Sequence, residues 1–129
     1  MMMGELEVVV PVFNDPDGIT QTITSIDPIR CLAVRIVDNG STDSTHETVR
    51  SLSANIEEVY PHVESTVQSS YAARNTGIRH TDADVLAFLD ADMTVSNDYF
   101  DRALAHLHDN DLDYLGCRVD LTIPDDEPT

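Results

Sequence analysis

The chain has 129 residues, 41% of them hydrophobic, which is the length and apolar content of one domain with its own core and excludes a disordered acidic tail. Its 24 acidic residues stand against seven cationic ones, all arginine, for a net charge of -17. With no basic patch to release counterions, nucleic-acid binding by charge is disfavoured, and so dense an acidic surface, spread along the chain rather than gathered in one block, reads as adaptation to a salt-rich cytoplasm.

The first apolar run, residues 6–12, is β-branched and strand-like, with Pro11 expected at its end because proline lacks a donor. Asp15 is placed to cap the next helix, with Pro16 in its first turn, where a missing N–H costs little. Ile19, Ile23 and Ile26 share one face of that helix, which Pro28 closes. Residues 31–37 form the second strand. It runs into the polar turn Asp38-Asn39-Gly40-Ser41-Thr42-Asp43-Ser44, where Gly40 supplies the tight bend. Ser44 and Glu47 have capping-box spacing, so a helix is expected over 45–54. A short third strand is expected over 56–60, stopped by Pro61.

Residues 69–80 read as a helix containing Arg74 and Gly77. Glycine inside a helix costs about 1 kcal/mol relative to alanine, so Gly77 makes sense where another backbone or a ligand comes close. Residues 85–89, five apolar positions in a row, read as a central parallel strand buried on both faces. It ends in Asp90 and Asp92, which strand alternation would aim the same way. Ser96 is expected to cap a helix carrying Phe100, Ala103, Leu104 and Leu107 on one stripe, and residues 114–123 to form a last strand before an acidic tail. Cys31 and Cys117 fall in strands and read as small buried residues of a reducing compartment. Met1 to Gly4 lack the basic and apolar regions of a signal peptide, and no run reaches membrane-spanning length.

Strand and helix alternate almost throughout, which predicts a single α/β domain over 1–129 with a parallel sheet and right-handed crossovers. Asp15, Asp38, Asp90 and Asp92 follow three of its strands and therefore gather on one sheet edge, where ligands of open α/β sheets bind. Gathered carboxylates need a cation or bound donors. A nucleoside diphosphate with Mg²⁺ or Mn²⁺ supplies both, since hard oxygen donors suit those ions. Arg74 is the candidate for a phosphate or for orienting a carboxylate. No glycine-rich phosphate loop is present, so metal rather than a helix N-terminus is expected to hold the phosphates.

Four ordered segments, Val8-Val9-Val10-Pro11-Val12-Phe13-Asn14-Asp15, Val37-Asp38-Asn39-Gly40-Ser41-Thr42-Asp43-Ser44, Ala73-Arg74-Asn75-Thr76-Gly77-Ile78 and Phe88-Leu89-Asp90-Ala91-Asp92, resemble the motifs of family 2 glycosyltransferases with the GT-A fold. The resemblance covers essentially the whole chain. It implies a Rossmann-like three-layer sandwich, mostly parallel, with helices on both faces and shortened at its C-terminal side. It places Pro11 and the Phe13 ring beside the nucleoside and puts Asp15 where Glu is commoner. Asp38 would accept a hydrogen bond from a base N–H. Asp90 would approach the ribose or the metal, and Asp92 would ligate the metal bridging the diphosphate. Asn39 stands where a second Asp is often found.

The resemblance implies transfer of a sugar, with inversion and divalent-metal dependence, from a nucleotide-diphospho-sugar, a UDP-sugar first, to an acceptor hydroxyl. Inversion needs a base opposite the leaving diphosphate, and no base motif is recognisable among Asp120, Asp125, Asp126 and Glu127. The chain therefore reads as the donor-binding half of a longer enzyme, inactive alone, whose membrane association would come from sequence outside it and whose exposed apolar surface offers a route to a homodimer. The rival reading is a non-catalytic nucleotide- or metal-binding module. A phosphoacceptor receiver domain has similar length and alternation, but the lysine such domains carry at a late strand is missing here.

Overall fold

The computed structural model of the chain describes residues 6–26, 33–96 and 98–111. Within them strands and helices alternate: β1 (Leu6–Val12), α1 (Pro16–Ser25), β2 (Ala33–Asp38), α2 (Thr45–Asn55), β3 (Val59–Val63), α3 (Ser70–Arg79), β4 (Val85–Phe88) and α4 (Tyr99–Asp109). The four described strands form one parallel sheet in the order β3-β2-β1-β4. The chain thus steps outward from β1 through β2 to β3, then returns to the other side of β1. Right-handed crossovers consequently place α1 and α2 on one face and α3 on the other. The contacts agree: α1 packs against α2, whereas α3 packs on β1 and β2. This is the expected three-layer α/β architecture.

β1 is the central strand, and all seven of its residues are buried. Its even positions, Leu6, Val8, Val10 and Val12, join Val34 and Ile36 of β2, Ile19 and Ile23 of α1, Val49 of α2, and Phe100 and Leu104 of α4 in the main core. Its odd face is thinner: Val9 meets Val37 and Ala73 of α3. Burial on both faces explains why β1 is apolar apart from Glu7, whose buried carboxylate pairs with Arg35. On the thin face, a Cβ at Gly77 would lie 2.5 Å from Val9 Cγ1. The close approach that calls for this glycine is with a core valine, not a ligand.

Several local expectations are corrected. The run 85–89 contributes only Val85–Phe88 as strand, and among the described residues β4 lies at the sheet edge, with Phe88 43% exposed. Its apolar composition resembles that of β1, but composition does not say which strand has neighbours on both sides. Pro61 sits inside β3 rather than stopping it, paired with Ile36. β3 is an edge strand in the described sheet, so a missing N–H is tolerated. Ser44 makes no side-chain cap; Asp43 Oδ1 accepts instead from Thr45 N (2.9 Å) and Thr45 Oγ1 (2.5 Å). Those bonds hold the Asp43 carboxyl below its ordinary pKa. Ser96 likewise does not cap α4, whose N-cap position is Asp98; the Ser96 hydroxyl donates to Asp98 Oδ1. Asp15 caps α1 as expected, and Ser69, expected as the first residue of the third helix, is instead its N-cap; each accepts from an N–H three residues on.

The expected strand over 114–123, Pro28, Cys31, Cys117 and the acidic tail lie outside the described residues. Among the described residues no helix is long and apolar enough to cross a membrane.

Candidate functional site

The carboxyl end of β1 is where the sheet opens. Leu89 N–H donates to the Val9 carbonyl on the β4 side (3.1 Å), and Asn39 N–H donates to the Val12 carbonyl on the β2 side (2.9 Å). Backbone groups alternate sides along a strand. Pro11 therefore faces the β4 side, just beyond the last β1–β4 pair, Val9↔Phe88. Its missing N–H costs no ladder bond, and its carbonyl is directed into the gap where β4 leaves the sheet. Because the strand order reverses between β1 and β4, this gap is the topological switch point, the place where open α/β sheets bind ligands.

A crevice of about 100 Å³ occupies this place, lined by Pro11, Val12, Phe13, Asn39, Ser70 and Asp90. Three sequence-predicted residues, Pro11, Phe13 and Asp90, are thus brought together. The Phe13 ring is 44% exposed. Asp90 Oδ1 accepts from Arg74 Nη2 of α3 at 3.0 Å, so Arg74 joins the group through Asp90.

Asp92 is reached differently from the strand geometry expected. β4 ends at Phe88, and Asp90 to Met93 form a turn closed by Met93 N–H to the Asp90 carbonyl (3.2 Å). Asp92 occupies its third position with φ 75°, the left-handed backbone that a type II turn requires there. Its N–H donates to the Gly18 carbonyl of α1 (3.1 Å), which pins the turn to the start of that helix. Strand alternation therefore does not orient the two carboxylates, both of which are exposed.

Asp15 and Asp38 hold loops. Asp15 Oδ1 caps α1 through Gly18 N–H (2.9 Å), and a Cβ at Gly18 would overlap that carboxylate. The Asp38 side chain is 3% exposed; Oδ1 accepts from Ser41 N–H (3.0 Å), and Oδ2 lies 3.3 Å from His46 Nδ1 of α2. Neither Asp15 nor Asp38 lines the crevice.

Sequence reasoning gave Asn14, Asn39 and Ser70 no role, although the first two lie in the motif segments. Asn14 (φ 50°) bonds reciprocally with Thr42, and its N–H donates to Ser41 Oγ, tying the β1–α1 loop to the β2–α2 loop. Ser70 reaches the crevice from the first turn of α3. Asn39 lines it from the position just after β2, with Nδ2 donating to the carbonyls of Glu64 (2.8 Å) and Val67 (2.9 Å). Nothing in their spacing marks Ser70 as a crevice residue, because loop contacts 30 or so residues apart leave no periodic signal.

Among the described residues, no three of His, Cys, Asp or Glu come together as a metal cage. A nucleotide-bound Mg²⁺ or Mn²⁺ does not need one: it takes one or two carboxylates and completes its octahedron with phosphates and water. The exposed pair Asp90 and Asp92 fits that demand.

A parallel sheet with a carboxylate-edged crevice at its switch point and helices on both faces is the arrangement of the GT-A glycosyltransferases. The chain belongs to glycosyl transferase family 2, whose family model matches residues 7–128. Glycosyltransferase AglE of Haloferax volcanii is 32% identical over 123 residues, covering 92% of this chain and 40% of AglE. The mannosyltransferase PcManGT from Pyrobaculum calidifontis, solved with GDP-Man and Mn²⁺, aligns with 80% of this chain and 32% of its own at a TM-score of 0.70 and 25% identity. Glucosyl-3-phosphoglycerate synthase from Mycobacterium tuberculosis, solved with Mn²⁺, UDP and phosphoglyceric acid, shares the fold at a TM-score of 0.64 and 21% identity, over 81% of this chain and 39% of that one. The chain spans less than half the length of each of these three proteins.

Proposed function

We propose that this chain supplies the nucleotide-sugar donor site of a family 2 glycosyltransferase that transfers its sugar with inversion. The observation that carries the reading is the crevice at the switch point, with Pro11, Phe13 and Asp90 on its walls and Arg74 held against Asp90. The exposed Phe13 ring offers a stacking surface for a base. Arg74 offers a fixed cation to a diphosphate. Asp90 and Asp92 would hold Mg²⁺ or Mn²⁺, whose charge would offset that of the leaving diphosphate. PcManGT and glucosyl-3-phosphoglycerate synthase were both solved with Mn²⁺, which supports a divalent ion.

The donor is a UDP-sugar in the first instance. Inverting transfer needs a base for the hydroxyl of the acceptor molecule, and this reading assigns that role to no described residue. The net charge of -17 fits work in a salt-rich cytoplasm, and AglE comes from a halophile.

The test is calorimetric titration of the chain in molar KCl with UDP and with GDP, each with and without Mn²⁺. Mn²⁺-dependent binding of either nucleotide is expected, with UDP the tighter. A folded sample that binds neither rules the donor site out.

A further inference from the structure

The segment that carries Asp92 is anchored on α1. Asp92 N–H donates to the Gly18 carbonyl (3.1 Å), and Val95 N–H donates to Ser25 Oγ (3.1 Å). Gly18, Thr22 and Ser25 stand at i, i+4 and i+7, on one stripe of the helix. Between the two anchors Thr22 is fully buried, and its hydroxyl makes no hydrogen bond among the described residues. Gly18 and Ser25 are thus the polar anchors of the segment, and Gly18 is the one that Asp92 itself uses.

That anchor is set by Asp15. Its Oδ1 accepts from Gly18 N–H (2.9 Å), and its main-chain carbonyl accepts from Ile19 N–H (3.0 Å). Ile19 N–H and the Gly18 carbonyl belong to one planar peptide group. The peptide that donates to Asp15 at one end therefore accepts from Asp92 at the other, and Gly18 is held by Asp15 on both sides. A Cβ at Gly18 would overlap the Asp15 carboxylate, so glycine is what lets the cap form. Asp92 has φ 75°, a left-handed backbone that the surrounding structure must impose on a residue with a Cβ. Asp15 does not line the crevice. Its connection to Asp92 runs through the backbone.

We propose that Asp15 is a positioning residue for the metal turn: its side chain and carbonyl fix the Gly18–Ile19 peptide, and that peptide fixes the backbone from which the Asp92 carboxylate projects. The proposal rests on the donor-site reading above and goes beyond it by giving Asp15 a role through α1 rather than through contact with nucleotide or metal. What the role requires of residue 15 is an oxygen acceptor, not a charge.

The experiment measures UDP affinity with and without Mn²⁺, by calorimetry in molar KCl, for wild type, Asp15→Ala and Asp15→Asn. Asparagine caps a helix as well as aspartate does but carries no charge. Asp15→Ala is expected to cut the gain in affinity that Mn²⁺ brings by about threefold to tenfold, with affinity for UDP alone within about twofold of wild type. Asp15→Asn is expected to restore the gain to within about twofold. A full Mn²⁺ gain in folded Asp15→Ala overturns the proposal. An Asp15→Asn variant as weak as Asp15→Ala overturns it too, because the carboxylate would then act by its charge. Should Asp15→Ala fail to fold, amide hydrogen exchange in the wild type decides. Coupling is reciprocal, so Mn²⁺ added to the UDP-bound chain must steady the cap in turn. The Gly18 and Asp92 N–H groups are expected to slow together, by about threefold or more. Slowing of Asp92 alone, or of neither, overturns the proposal. A folded wild-type chain whose UDP affinity gains nothing from Mn²⁺ overturns the metal part of the donor-site reading, and this proposal with it.

Discussion

Arg74 Nη2 stands 3.0 Å from Asp90 Oδ1, joining α3 to the turn after β4. Both side chains are substantially exposed, Arg74 at 35% and Asp90 at 61%, and such a pair adds little to folding. Its value lies in placing the cation at the crevice edge. Arg74→Ala is expected to change stability by less than about 0.5 kcal/mol in thermal melts, while UDP affinity at fixed Mn²⁺ falls by about tenfold or more. Equal affinity in the variant would remove Arg74 from the site.

Asp92 combines a candidate metal ligand with a left-handed backbone, φ 75°. Glycine relieves that strain and alanine does not. Asp92→Gly should therefore be more stable than Asp92→Ala by about 1 kcal/mol, as read from chemical denaturation. Both variants should lose the Mn²⁺ dependence of nucleotide binding. Retained dependence in both would take Asp92 out of the metal's ligand set.

Gly77→Ala sets helix propensity against packing. Alanine favours the helix by about 1 kcal/mol. The new Cβ would stand 2.5 Å from Val9 Cγ1, in the fully buried central strand, and overpacking of that kind costs about 1–3 kcal/mol. Net destabilisation is expected. Val9→Ala in the same chain should relieve it, giving a favourable coupling in a double-mutant cycle. Additive effects would show that the strand gives way instead.

His62 titrates against its surroundings. Burial, then the His80 ring and the Arg35 guanidinium, push its pKa from 6.5 down to about 4. Its ring lies 4.1 Å from that of His80, and Arg35 Nη1 is 3.2 Å from its Nε2. Arg35 in turn pairs with Glu7 and lies over the Tyr60 ring. Between those two pKa values the unfolded chain takes up a proton that the native chain refuses, so His62 lowers stability progressively as pH falls from about 6.5 toward about 4 and not above that window. His62→Gln should flatten the fall in melting temperature between pH 7 and pH 5 relative to wild type. Parallel curves would assign the acid response to other groups.

The net charge of -17 predicts self-repulsion that salt screens. Melting temperature is expected to rise with KCl into the molar range. A flat response would end the halophilic reading.

Much of this molecule was legible in the sequence because it is written in local pattern. The apolar run of β1, the Asp15 cap, the stripe on α1 and the alternation of strand and helix are short-range features, and they specify an α/β sheet with its acidic turns on one edge. The four motifs marked the family for the same reason. Long-range neighbours decided the rest. Among the described residues, only the strand order makes β1 rather than β4 the central strand and opens a gap beside Pro11. Only the turn pinned to Gly18 gives Asp92 its left-handed backbone. Only alternation carried past β2 separates Asp38 from Asn39 and brings Asn39 to the crevice beside Ser70. A sequence fixes which residues prefer strand, turn or cap. Which of them meet depends on the order in which strands pair and the face each side chain takes, and both are set when the chain closes on itself.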